Sequence, residues 1–81
     1  MFTVYVLKSL KNNKRYIGYS SKTALRRLKE HNCGGSKWTK ANRPFIIAYT
    51  ENYLDKTSAI KRENFLKSGQ GRKWLDQRIN N

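Results

Sequence analysis

Two short runs of alternating pattern, FTVYVL at Phe2–Leu7 and KRYIGY at Lys14–Tyr19, flank the polar segment KSLKNNK near the start of the chain. β-Branched and aromatic side chains at period two suit a pleated strand, and asparagine tolerates the backbone of a tight turn. The spacing predicts a β-hairpin. With a two-residue turn at Asn12 and Asn13, Lys11 closes the ladder against Lys14. Tyr5 then shares a sheet face with Tyr16 and Gly18, while Ile17 and Tyr19 look the other way. A lone hairpin is marginal in water, so the rest of the chain has to cover it.

That cover comes from one small domain, residues 1–81. A chain of this length buries only about 60% of the surface its unfolded form exposes, so the core is thin. Thr23–Asn32 has helical spacing and runs into Gly34 and Gly35, a helix stop signal. The basic GGSKWTKANR segment reads as a loop, and Pro44 introduces FIIAYT as a third strand. DKTSAIKRENFLKSG offers Asp55, Thr57 and Ser58 as N-cap candidates and Gly69 as a stop, and GRKWLDQRI closes the chain as a last short helix. The predicted order is β-β-α-β-α-α, an α/β chain of α+β type.

Charge narrows the partners. Eighteen Lys and Arg against five Asp and Glu give a formal net charge of +13 and a pI near 10.3, which calls for a polyanion, nucleic acid first. An anionic membrane surface is the competitor, yet the longest apolar run, FIIAY, falls far below the ~18 residues of a membrane span. MFTVYVLK lacks the pattern of a secretory signal, so a cytoplasmic chain is expected. With a single cysteine, Cys33, and a single histidine, His31, neither an intrachain disulfide nor a His/Cys metal cluster is expected. Lys37 and Lys40 around Trp38, with Arg43 and Arg62, are candidate nucleic-acid contacts. Trp38 either stacks on an unpaired base or folds back onto the core.

Helical geometry sorts the remaining charges. On the first helix Ala24, Leu28 and His31 share a face with Leu25 and Arg27 at its flanks, and Arg26 points away. On the second, Ala59, Ile60 and Leu66 form the apolar face, with Glu63 inside it and Lys61, Arg62 and Asn64 spread over the solvated surface. A carboxylate inside an apolar arc needs a partner, either a basic side chain or a cation. The two phenols, Tyr5 and Tyr16, make either a packed aromatic core or a polar pocket.

Taken in order, Thr3-Val4-Tyr5, Tyr16-Ile17-Gly18, Arg27 with His31 four residues on, and Glu63 on a later helix resemble the signature of the GIY-YIG nuclease domain. The likeness is to small stand-alone bacterial members related to the N-terminal domain of a DNA-repair excinuclease, and it covers nearly the whole chain. It implies a three-stranded antiparallel sheet flanked by helices, with DNA phosphodiester hydrolysis in repair or processing and one divalent ion, Mg²⁺ or Mn²⁺. By the resemblance Tyr16 is the general base and Tyr5 positions the water or relays the proton. Arg27 stabilises phosphoryl charge, His31 orients the phosphate or assists proton transfer, Glu63 holds the metal, and Gly18 permits close approach. Thr3 stands where the family has glycine. The segment before Arg27 is one residue longer than usual, making Arg26 the formal alternative. The asparagine that often follows the glutamate helix has no clear match at Leu75 or Asn80. A non-catalytic nucleic-acid-binding module of the same fold is the alternative class, and a protein partner supplying specificity is compatible with either.

Overall fold

A computed structural model describes residues 1–34 and 36–79. Its elements are β1 (Phe2–Ser9), β2 (Arg15–Ser20), α1 (Ala24–Asn32), α2 (Lys37–Asn42), β3 (Phe45–Tyr53), α3 (Lys56–Lys67) and α4 (Gly69–Arg78). The three strands form one antiparallel sheet in the order β2-β1-β3. Helices flank it, as the resemblance implies.

The hairpin forms, but with a longer turn than the asparagine pair suggests. The Ser9 N–H donates to the Lys14 carbonyl at 2.8 Å, and the Asn13 N–H to the Ser9 carbonyl at 2.9 Å, so the turn spans Leu10–Asn13. Asn13 takes φ 63°, a left-handed conformation that asparagine adopts at little cost. Tyr5 consequently pairs with Gly18 instead of Ser20, a register change of two residues. Because side chains alternate with period two, an even shift leaves every residue on its expected face. One face carries Tyr5, Leu7 and Phe45 with Tyr16, Ala24, Leu28 and Ile47 packed on them. The other carries Val4 and Val6 against Ala59, Leu66 and Leu75. β1 is buried from Val4 to Leu7 because it lies between two strands and is covered on both faces.

Four local expectations are corrected. The GGSKWTKANR loop contains α2, started by a capping box in which Ser36 and Thr39 satisfy one another's backbone N–H groups. β3 runs on to Tyr53, past the expected end at Thr50. Gly69 opens α4 and does not close α3. Ser68 ends α3 and also caps α4, its Oγ accepting from the Gly71 N–H at 3.1 Å. Leu25, expected at a flank of the apolar face of α1, is 72% exposed. Thr23 and Asp55 are the N-caps of α1 and α3. Gly34, at φ 78°, follows α1 in the left-handed conformation of a helix end. Gly35 and Asn80 lie outside the described residues.

A polar clamp binds β3, α3 and α4 together. Glu51 accepts from the hydroxyls of Tyr49 and Tyr53 and from both edges of the Arg62 guanidinium, Nε at 2.9 Å and Nη2 at 3.0 Å. The guanidinium lies over the rings of Phe65 and Trp74, 4.8 and 4.5 Å from their centroids, with Arg78 also over Trp74 at 4.4 Å. Burial pushes the Glu51 carboxyl up, but the bonds from Arg62, Tyr49 and Tyr53 outweigh it and hold the group below its ordinary value. By the same contacts, burial first and Glu51 second, Tyr53 is pushed up to about 12. Arg62 is therefore built into the fold and is not one of several loosely solvated charges.

Candidate active site

The site begins with a glycine on an edge strand. Tyr5 lies across its pairing partner Gly18, and a Cβ built at Gly18 would stand 2.7 Å from the Tyr5 hydroxyl oxygen and 3.2 Å from Cε1 of Tyr16. Without a side chain there, the two rings sit 6.3 Å apart and nearly parallel. The room that Gly18 leaves is filled by the protein's own phenols.

α1 adds the next two groups. Arg27 donates from Nε to the Tyr5 hydroxyl at 3.1 Å and from Nη1 to Glu30 Oε1 at 2.6 Å. Arg26 is 70% exposed and reaches Glu30 only at 3.9 Å. Of the two adjacent arginines, it is Arg27 that faces the tyrosines. One turn on, His31 is buried with its ring 4.4 Å from that of Tyr16 and 6.1 Å from that of Tyr5. Its Nε2 is buried with no hydrogen-bond partner among the described residues. Burial, helped by the Arg27 charge, holds its pKa below the ordinary value, so the imidazole is neutral near pH 7. Burial likewise raises Tyr5 above the usual phenol range, against the lowering effect of Arg27. Tyr5 keeps its proton and, while accepting from Arg27, is free to donate it.

A pocket of about 250 Å³ opens over these groups, lined by Tyr16, Arg27, Glu30, His31, Ser36 and Thr39. α2 forms its far wall. Trp38 stacks on Phe45 with ring centroids 5.6 Å apart and packs against Tyr16 at 5.5 Å, yet stays 38% exposed. It folds onto the core and still shows part of its ring to solvent. Lys37, Lys40 and Arg43, exposed around it, set positive charge beside the pocket.

Glu63 comes from α3. Its side chain is 14% exposed, its nearest basic partner is Lys67 Nζ at 3.6 Å, and no hydrogen bond reaches it among the described residues. Its charge is the smallest of the influences that raise Tyr5. A largely buried carboxylate with free lone pairs suits a hard cation that takes one protein oxygen and keeps several waters. Among the described residues no group of three or more His, Cys, Asp or Glu is assembled, so an all-protein cage is not on offer. Arg62, by contrast, is held by Glu51, away from this set.

Tyr5, Tyr16, Gly18, Arg27, His31 and Trp38 are thus gathered on one side of the sheet, whereas Glu63 is carried by α3, which packs on the Val4 and Val6 face. Sequence reasoning missed Glu30, whose carboxylate joins Lys22 and Arg27 at 2.8 and 2.6 Å. Its position three residues after Arg27, with a basic neighbour on either side, was the available signal. It also missed Glu51, although Tyr49, Glu51 and Tyr53 alternate along one strand face.

A family model for the GIY-YIG catalytic domain matches residues 1–80. The chain is 38% identical over 66 residues to a UPF0213 protein of Staphylococcus haemolyticus, covering 80% of this chain and 78% of that one. It is 35% identical over 72 residues to a UPF0213 protein of Staphylococcus saprophyticus, covering 89% and 87%. A UPF0213 protein of Staphylococcus aureus is 39% identical over 66 residues, covering 80% and 78%. No solved structure matches the chain significantly.

Proposed function

Since the chain belongs to the GIY-YIG family, we propose that it is a divalent-metal-dependent DNA endonuclease that hydrolyses phosphodiester bonds in cytoplasmic DNA repair or processing. The observation that carries the reading is the joining of Arg27 to Tyr5 at 3.1 Å beside Tyr16 and a neutral, unpartnered His31. A bare aromatic core has no use for that arrangement. Tyr16, having first lost its own proton, accepts the proton of the attacking water as a phenolate, Tyr5 donates a hydrogen bond that holds that water or a phosphoryl oxygen, and His31, which lines the pocket, orients the phosphate. Arg27, pre-oriented by Tyr5 and Glu30, presents its remaining donors to the phosphoryl oxygens as charge builds on them. Glu63 would hold Mg²⁺ or Mn²⁺. When bound, the ion supplies Lewis-acid charge at the phosphate and lowers the pKa of nearby water. Lys37, Lys40, Arg43 and Trp38 extend the DNA contact, while specificity rests with branched, nicked or single-stranded features or with a protein partner.

One observation favours the second reading, a binding module without turnover. The Arg27 guanidinium already has a carboxylate, Glu30, at 2.6 Å, and a phosphate must compete with it. The test is cleavage of nicked, flapped and branched DNA with Mg²⁺ or Mn²⁺, using wild type, Tyr16→Phe and Glu63→Gln. Each change is expected to cut the rate by ~10²-fold or more while DNA affinity stays within about threefold. A wild type that binds this panel and never nicks it identifies the binding module. If Glu63→Gln instead lowers the melting temperature and Mg²⁺ leaves wild-type stability unchanged, Glu63 is a structural partner of Lys67.

A further inference from the structure

A second and larger concavity, about 610 Å³, lies along the free edge of β2, between α2 on one side and the junction of α3 with α4 on the other. Tyr16 lines both it and the smaller pocket that holds Arg27 and His31, so the two are neighbours across one ring. Its other walls bring Trp38 together with Lys14, Arg15, Lys67 and Arg72. Asp76 is the acidic group present, and it is consumed by Arg15 at 2.7 Å, with the Arg15 side chain only 16% exposed. That pair is neutral overall. Lys14, Arg72 and Lys67 remain as cations, and Lys67 is the loose partner of Glu63.

The groove is thus large enough for a drug-sized ligand, carries an excess of positive charge, and has at its rim an indole whose ring is partly open to solvent. Cations fixed near an exposed aromatic face are what a nucleotide requires, the phosphate taken by charge-assisted hydrogen bonds and the base by stacking. An apolar peptide segment laid along the β2 edge would instead leave these cations without partners. We propose that this groove is a subsite for one nucleotide of the bound strand, next to the phosphate held at Arg27 and His31, with the base on Trp38 and its flanking phosphate on Lys14, Lys67 and Arg72. The proposal rests on the nuclease reading and adds to it the direction in which the strand leaves the reacting phosphate, past Tyr16 and along β2.

The test uses the whole chain, isotope-labelled for NMR, with deoxyadenosine 5′-monophosphate, deoxyadenosine and inorganic phosphate titrated separately. The nucleotide is expected to shift the Trp38 indole N–H together with the Lys67 and Arg72 amides. Phosphate alone moves the basic positions, and the nucleoside alone moves little. Lys14→Ala with Arg72→Ala, both exposed and so tolerated by the fold, should weaken nucleotide binding by about tenfold. The same variant should raise KM for DNA cleavage with kcat within about twofold of wild type. Nucleotide shifts confined to the Arg27–His31 pocket, or a double variant that binds nucleotide like wild type, overturn the proposal. The outcomes are separable from those of the nuclease reading. Wild type that never cuts DNA defeats catalysis and leaves the groove shifts standing, whereas wild type that cuts DNA with KM indifferent to the double substitution defeats the groove alone.

Discussion

At the scale of single residues, burial has divided two neighbouring arginines into different jobs. Arg27→Ala removes a guanidinium already aimed at the Tyr5 hydroxyl, and cleavage should fall by ~10²-fold or more, whereas Arg26→Ala, on the solvent side, should stay within about threefold in the same steady-state assay. His31 makes a pH prediction. Its folded pKa lies below the ordinary 6.5, so the unfolded chain takes up a proton first as pH falls. The stability it allows is complete above pH 6.5 and is lost as pH drops from there through the depressed folded value. A melting temperature flat between pH 7 and 8 and declining below 6.5, with His31→Gln removing that decline, is the expected result. A decline that His31→Gln leaves in place assigns it to other groups.

At the scale of elements, the meeting of α3 and α4 depends on a glycine with no room beside it. A Cβ at Gly71 would stand 1.9 Å from the Phe65 carbonyl oxygen and 2.6 Å from the Leu66 Cα, both backbone atoms that cannot step aside. Gly71→Ala should cost about 2 kcal/mol or more in urea unfolding. Gly69→Ala, which meets nothing within 4 Å, should be neutral or stabilising by about 0.5 kcal/mol. Leu75, where the resemblance looks for asparagine, is a fully buried neighbour of Val4, Val6 and Leu66. Its identity follows from packing. Much at this scale was legible in the sequence. The hairpin, the third strand, the Asp55 cap, the helix end at Gly34 and the face shared by Tyr5, Tyr16 and Gly18 all followed from period and propensity, and the face survived a wrong turn length because the error was even. α2 was hidden because its evidence, a Ser36–Thr39 capping box, is a reciprocal side-chain contact inside a segment whose basic, glycine-led composition reads as loop. The clamp on Arg62 was hidden for a related reason. Its carboxylate lies eleven residues away on another element, at a distance in sequence over which periodicity carries no information. In the candidate site Glu30 was missed although it shares α1 with Arg27 and His31, because the charge pattern alone does not say which of its basic neighbours it will pair with, and Glu51 was missed because its partner Arg62 lies on another element.

At the scale of the whole molecule, the charge of +13 has a measurable form. Affinity for duplex DNA should fall with salt at a log–log slope of about −0.9 per phosphate neutralised, and Lys37→Ala with Lys40→Ala, on the exposed side of α2, should lower both the affinity and the slope. An unchanged slope removes α2 from the interface. The strand order bears on the making of the chain as well. β1 is synthesised first but lies in the middle of the sheet, its far side waiting for β3, where Phe2 is matched by Tyr53. A nascent chain on the ribosome can close the hairpin early, since that contact is local, yet its most apolar strand stays uncovered along one edge until β3 has emerged behind α1 and α2. Once two such unfinished chains come within about a Debye length, ~8 Å at physiological salt, the same lysines and arginines that later meet phosphate repel one another and disfavour edge-to-edge pairing. The basic surface is thus in place as a barrier between unfinished copies before it has any ligand to bind.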